Sequence, residues 1–215
     1  MLRIWGRASS FNVQKVMWLV GELGLEHEHI PAGGRFGGLD APDFLAMNPH
    51  GRVPVIDDDG TVVWESHAIL RYLAARSGQD AFWPEDAGER SHADRWMDWS
   101  QTALQPDFIE GVFWGFYRTP EAQRDVPAVM ASILRCSDHM RLLDQWLEAR
   151  PYLLGRELSL ADIPAGAILY RYFELDIERP RVPRVEAWYD RLRSRPAYRQ
   201  HVMVPFGELY GRLDY

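Results

Sequence analysis

Apolar positions change their period along the chain, and the changes divide it. Leu2-Arg3-Ile4-Trp5 predicts a short strand broken by Gly6. Val13, Val16, Met17, Val20 and Leu23 then recur at helical spacing, so a helix begins near Val13, with Gly24 as its stop. His27-Glu28-His29-Ile30 predicts a second strand, which makes the opening segment a βαβ unit with a right-handed crossover. The Gly-rich stretch 33–38 predicts a loop, and Asn48-Pro49-His50-Gly51 a turn. Val53-Pro54-Val55-Ile56 and Thr61-Val62-Val63-Trp64 form a hairpin across the acidic turn Asp57-Asp58-Asp59-Gly60. Ser66 is the expected cap of a helix carrying Ile69, Leu70 and Leu73 and ending near Gly78.

Between 79 and 88 the pattern lapses into a loop containing Pro84, and beyond Glu89 it is helical without a convincing strand. Trp96, Trp99 and Ala103 share one face of a first helix. Ile133, Leu134, Met140, Leu143, Trp146 and Leu147 mark another that ends before Pro151. Ser159 with Asp162 three positions on is a helix-start signature, and Leu158 can staple onto Ile163. Asp is shorter than the usual Glu or Gln partner, and Pro164 is expected to bend the helix by removing a backbone donor. Helical segments near 184–194 and 203–213 close the chain. The expected organisation is an α/β domain at 1–78, a linker at 79–88 and an all-α domain at 89–215.

Composition narrows the function classes. The 215 residues are 47% hydrophobic and 26% charged, ordinary for a globular protein with a real core. A net charge of −7 argues against a nucleic-acid partner. The N-terminus lacks the basic-then-apolar pattern of a secretion signal, and no apolar run approaches membrane-spanning length. The single Cys136 excludes an internal disulfide and reads as a small buried residue. Together these predict a cytoplasmic, reducing setting and no membrane partner. His27-x-His29 lacks a third ligand, the 33–38 loop lacks a phosphate-loop ending, and the acidic turn lacks the rest of a calcium loop, so no metal is expected.

Three places carry candidate chemistry. Ser9-Ser10-Phe11-Asn12 sets small hydroxyl and amide groups between a strand and the positive end of a helix dipole, a place suited to an anion such as a thiolate. Val53-Pro54 is odd at the head of a strand; a cis bond would turn the backbone of Val53 toward an extended ligand, whereas a trans proline on an edge strand is the plainer reading. Glu65-Ser66 pairs a carboxylate with a helix start and fits an α-amino-acid end group, although each alone reads as a solvated charge and a cap.

In this order the signals resemble the cytosolic glutathione transferases over essentially the full length, and most of all the bacterial serine-type (theta- or nu-like) members. The matching stretches are Gly6 to Val16, Asn48-Pro49-His50-Gly51-Arg52-Val53-Pro54-Val55, Glu65-Ser66-His67-Ala68-Ile69 and Leu158-Ser159-Leu160-Ala161-Asp162-Ile163. The resemblance implies a thioredoxin-like first domain with Pro54 cis and an all-helical second domain. It implies glutathione as co-substrate: Ser10 donating to its sulfur with Asn12 beside it, Ser9 the alternative, and Val53 pairing with the cysteinyl backbone. Glu65 and Ser66 would hold the γ-glutamyl end, and Arg52 with His50 would face the glycyl carboxylate. A small apolar electrophile would bind between the domains against Phe11, Phe36, Phe108, Phe113, Trp114 and Tyr117, although core or dimer contacts also explain these aromatics. The resemblance further implies a homodimer. Peroxide or disulfide reduction at the same thiolate, and a binding module without chemistry, remain open alternatives.

Overall fold

A computed structural model describes residues 1–213. The first half is a four-stranded mixed sheet, in the order β2-β1-β3-β4, built from β1 (Leu2–Trp5), β2 (His27–Ile30), β3 (Val55–Asp58) and β4 (Thr61–Trp64). β1 runs parallel to β2, with Leu2 opposite His27, and antiparallel to β3, with Trp5 opposite Val55. The βαβ crossover passes through α1 (Phe11–Leu23), and α3 (Ser66–Ser77) packs beside it. Helix α1 starts two residues before the apolar period does, because Ser10 is its N-cap. Its residues from Val13 to Val20 are all buried, polar Gln14 and Lys15 included, since α1 also packs against helices of the second half.

Several local expectations shift. β3 begins at Val55 rather than Val53, because the Val53-Pro54 bond is cis and leaves both residues ahead of the ladder. Asp57 and Asp58 belong to β3, and the hairpin turns on Asp59 and Gly60 with φ of 50° and 94°, the two-residue turn that suits strand twist. Asp57 Oδ1 accepts from the Gly60 amide at 2.7 Å, which gives the acid in this turn a purpose. A short helix, α2 (Pro42–Met47), occupies a stretch without helical periodicity; at six residues it is too short to show one. Within the 33–38 loop, Gly34–Phe36 forms one 3₁₀ turn. Helix α3 is capped at Glu65, so Ser66 is its first residue and not its cap.

The second half is helical. α4 (Ala87–Trp99) starts inside the stretch expected as linker, where Asp86 caps it by accepting from the Glu89 amide at 2.8 Å. It continues through widened π turns at Ser100–Leu104 and Pro106–Arg118; Pro106 has no N–H to give the preceding turn and forces the ladder open there. α5 (Val126–Trp146) packs along that continuation and buries Cys136, whose thiol burial pushes up to about 12. α6 begins later than the sequence predicts: Asp162 is its first residue (Asp162–Glu174) and Ala161 its N-cap, so Ser159 does not cap it but donates to Asp162 from the preceding turn, and Pro164 falls in the first turn, where an N–H would have no helical partner to lose. α7 (Pro183–Ser194) matches expectation, but the last helix is α8 (Pro196–His201). The segment 203–213 carries only the 3₁₀ turn Gly207–Leu209, since Pro205, Gly207 and Gly211 interrupt it. Among the described residues no helix is long and apolar enough to cross a membrane.

Candidate active site

The turn from β1 into α1 is locked by its own carbonyls. Ser10 N donates to Arg7 O at 3.0 Å, and Gln14 Nε2 donates to Ala8 O at 3.1 Å. Arg171 Nη2, reaching across from α6, donates to Ser9 O at 2.7 Å and to Gln14 Oε1 at 3.3 Å. Gly6 is required for this closeness: a Cβ there would lie 2.3 Å from Val13 Cγ2. Ser10 occupies the N-cap with extended backbone, yet its hydroxyl makes no capping bond. That hydroxyl and the first amides of α1 are therefore available to an anion. Ser9 Oγ and Asn12 Oδ1 are also buried without a partner, which places two further unspent polar groups at the same turn.

Two further stretches lie at the end of the sheet from which the serine turn leaves, where Val55 is opposite both Trp5 and Trp64. Val53 lies ahead of the first ladder pair, so the sheet does not use its amide and carbonyl. Asn48 braces the approach, donating to Arg52 O at 2.8 Å and accepting from the His50 amide at 3.1 Å. Arg52 is exposed, while the His50 ring packs edge-on against Trp64 at 5.1 Å. Glu65 holds φ 68° and ψ 118°, a strained conformation for a residue with a side chain, and this turns an exposed carboxylate beside the open N-terminus of α3. Ser66 follows, buried at the first helical position.

The six aromatic candidates separate. Phe113 stacks on Tyr117 at 5.3 Å and meets Phe206 at 5.5 Å, forming a wall near the serine turn. Phe206, with Tyr210 against Tyr117 at 5.2 Å, comes from the C-terminal segment that was expected to be helical. Phe11 is buried within that assembly, Phe36 is exposed on its loop, and Trp114 is exposed under Arg118. Phe108 and Phe113 are corrections: both are fully buried, Phe108 against Tyr172 at 5.8 Å and Phe113 behind Tyr117 and Phe206, and both belong to the core.

Buried charge surrounds the turn, and sequence reasoning missed it. Lys15 has no exposed surface; its Nζ donates to Gln105 Oε1 at 3.3 Å and lies 4.9 Å from the centre of the Phe11 ring. Desolvation pulls this ammonium down to about 7 against the opposing pull of Glu65. His67 is held neutral, pushed down to about 2 by burial and by Lys15 and Arg71, and both ring nitrogens lack partners. His27 Nδ1 lies 3.0 Å from Leu25 O and His29 Nε2 lies 2.8 Å from Gly6 O, so each ring has one nitrogen on a backbone carbonyl. Lys15 and Arg171 left one sequence signal: basic residues set inside apolar runs of helices that the second half covers.

Both halves match family models: residues 1–75 match "Glutathione S-transferase, N-terminal domain" and residues 106–196 match the corresponding C-terminal domain. The chain is 40% identical over 207 residues to glutathione S-transferase GstB of Escherichia coli K12, covering 95% of this chain and 99% of that one. It superposes with a TM-score of 0.89, at 44% identity, on a theta class glutathione S-transferase from Xanthomonas axonopodis pv. citri crystallised with glutathione bound, covering 95% and 98% of the two chains. A glutathione S-transferase from Pseudomonas fluorescens gives a TM-score of 0.80 at 30% identity, covering 95% and 98%.

Proposed function

The chain belongs to the glutathione S-transferase family, and from that premise we propose that Ser10 is the hydroxyl that stabilises the glutathione thiolate. The observation that carries this reading is the idle N-cap: Ser10 sits at the start of α1 without capping it. A thiol near pKa ~8.5 is mostly protonated at neutral pH, and lowering it by about two units needs ~2.7 kcal/mol in favour of the anion. One hydrogen bond to a charged group supplies roughly 1.5–3 kcal/mol, and a helix N-terminus adds roughly 0.3–1. Ser10 and the α1 amides suffice without a general base. The thiol proton passes to solvent, and the sulfur attacks the electrophile, forming the C–S bond as the leaving group departs or as the double bond takes up the charge.

Residues 1–78 hold the tripeptide. Val53 pairs with its cysteinyl backbone past cis Pro54, Glu65 takes the α-ammonium, and Ser66 with the α3 amides takes the γ-glutamyl carboxylate. Arg52 faces the glycyl carboxylate; the packing of His50 on Trp64 gives His50 the lesser part. Asn12, with its buried unpartnered oxygen, supports the sulfur side. The electrophile lies against the partly exposed Tyr117, with Phe113 and Phe206 packed behind it, and this wall supports an apolar substrate. A second copy of the chain is the expected partner, since Val126, Met130, Leu134 and Leu142 expose apolar side chains at four- and eight-residue steps along α5. A cytoplasmic setting suits a glutathione kept as thiol.

Ser10→Ala tests the centre of the reading. Titrating the thiolate absorbance of bound glutathione is expected to give a thiol pKa raised by one to two units, about the worth of the lost bond. Calorimetry with the same variant should show glutathione affinity within threefold of the parent. An unchanged titration moves the role to Ser9.

A further inference from the structure

Arg171 stands 162 positions beyond Ser9 in the chain and is bonded directly to its carbonyl at 2.7 Å. The guanidinium is 3% exposed, and its Nε is buried without a partner. Its bonded acceptors, Ser9 O and Gln14 Oε1, are both neutral. Among the described residues, the charged and titratable groups that act on it are Arg7 from the serine turn, Arg118 from the α4 continuation and Tyr170 from its own helix, and none of these is an acid. The remaining faces are aromatic, with Phe113 at 4.6 Å and Phe11 and Phe206 each at 5.9 Å from the guanidinium carbon. Burial and the neighbouring arginines pull Arg171 down to about 9, which still leaves it charged at neutral pH. A buried cation with no countercharge among the described residues is costly to keep in a fold. It is retained where an anion completes the site.

We propose that Arg171 is a positioning residue for the thiol chemistry, fixing the Ser10 hydroxyl through the Ser9 carbonyl and lending its charge to the thiolate formed beside that turn. The inference rests on the Ser10 reading and adds to it. Through Arg171 the helical half helps set the acidity of a thiol that the first half binds. Gln14 is the second strut of the device: 1% exposed, it donates to Ala8 O and accepts from Arg171, so Arg171 and Gln14 together hold two successive carbonyls of the turn.

The test is a thiolate titration of bound glutathione in the full-length protein, run for the parent, Ser10→Ala, Arg171→Met and Arg171→Lys, with kcat and KM for glutathione from one aryl halide. Arg171→Met is expected to raise the bound thiol pKa by about one unit, a tenfold loss of thiolate well below the pKa. Affinity for S-methylglutathione, which has no proton to lose, should stay within threefold. Arg171→Lys keeps the charge but is shorter and lacks the planar Nη2 group that donates to both acceptors, so its titration should stay near the parent's while kcat falls about tenfold at unchanged KM. A parental titration in Arg171→Met beside a shifted one in Ser10→Ala overturns this inference alone. Parental titrations in both overturn the Ser10 reading beneath it. Should Arg171→Met not fold, the Lys variant decides: lowered kcat at constant KM supports the positioning role, and parental kcat overturns it.

Discussion

Lys15 and Glu65 show what single residues sacrifice for this site. Lys15 ionises near 7 in the fold, against an ordinary 10.5 in the unfolded chain. Between those values the unfolded state binds more protons, so stability from this group rises with pH across that window, and its penalty is complete below about 7. Lys15→Met should therefore be more stable than the parent at pH 6, by on the order of a few kcal/mol, and thermal melts should show the gap closing toward pH 10. A gap independent of pH would mean that Lys15 is not buried in its charged form. Glu65 stores backbone strain at φ 68° to present its carboxylate. Glu65→Ala keeps the strain and loses the ion pair, and calorimetry should read at least a tenfold weaker glutathione affinity.

At the scale of elements, the start of α6 is the best-determined joint in the second half. Asp162 is fully buried and accepts from Leu153 N at 2.9 Å, Ser159 N at 3.0 Å and Ser159 Oγ at 2.9 Å. The reciprocal bond left in doubt by the short side chain is thus made. Burial raises this carboxyl to about 6 despite those donors, so the group contributes most stability below its unfolded pKa and loses it as pH rises through about 6. Asp162→Ala strands two buried amides and should cost about 2–4 kcal/mol in urea melts. Pro164→Ala should change stability by under ~0.5 kcal/mol, because a first-turn position needs no donor. The Ser159–Asp162 pairing was legible here because it is local, although the helix starts at Asp162 with Ala161 as its cap. The sequence was not legible at β3, where Val53 and Pro54 look like strand residues and only the cis bond sets them outside the ladder.

For the whole molecule, α1 is the shared wall, with the sheet and α3 on one side and α6 and α8 on the other. Trp18 seals that boundary, fully buried with its ring edge-on to Tyr198 at 4.8 Å. The outer face of α5 faces the other way, and Leu134 is 65% exposed at its centre. Leu134→Arg should convert a dimer to a monomer in light scattering while each subunit keeps its glutathione site. A parent protein that already runs as a monomer would remove the second-copy proposal.

Periodicity, turn chemistry and caps are local, and from them the chain alone declared an α/β half followed by an all-helical half, with the serine turn, Val53-Pro54 and Glu65-Ser66 as its chemical stretches. The family relationship read from those stretches is upheld by the comparisons. Contacts between residues far apart in the chain leave no such trace. Arg171 on Ser9, Lys15 beneath Phe11, Phe108 in the core and Phe206 on the aromatic wall were decided only when the second half closed over α1. That closure takes water from side chains which their own helices would have left solvated, and it is the loss of water that pulls Lys15 and Arg171 below their ordinary ionisation range.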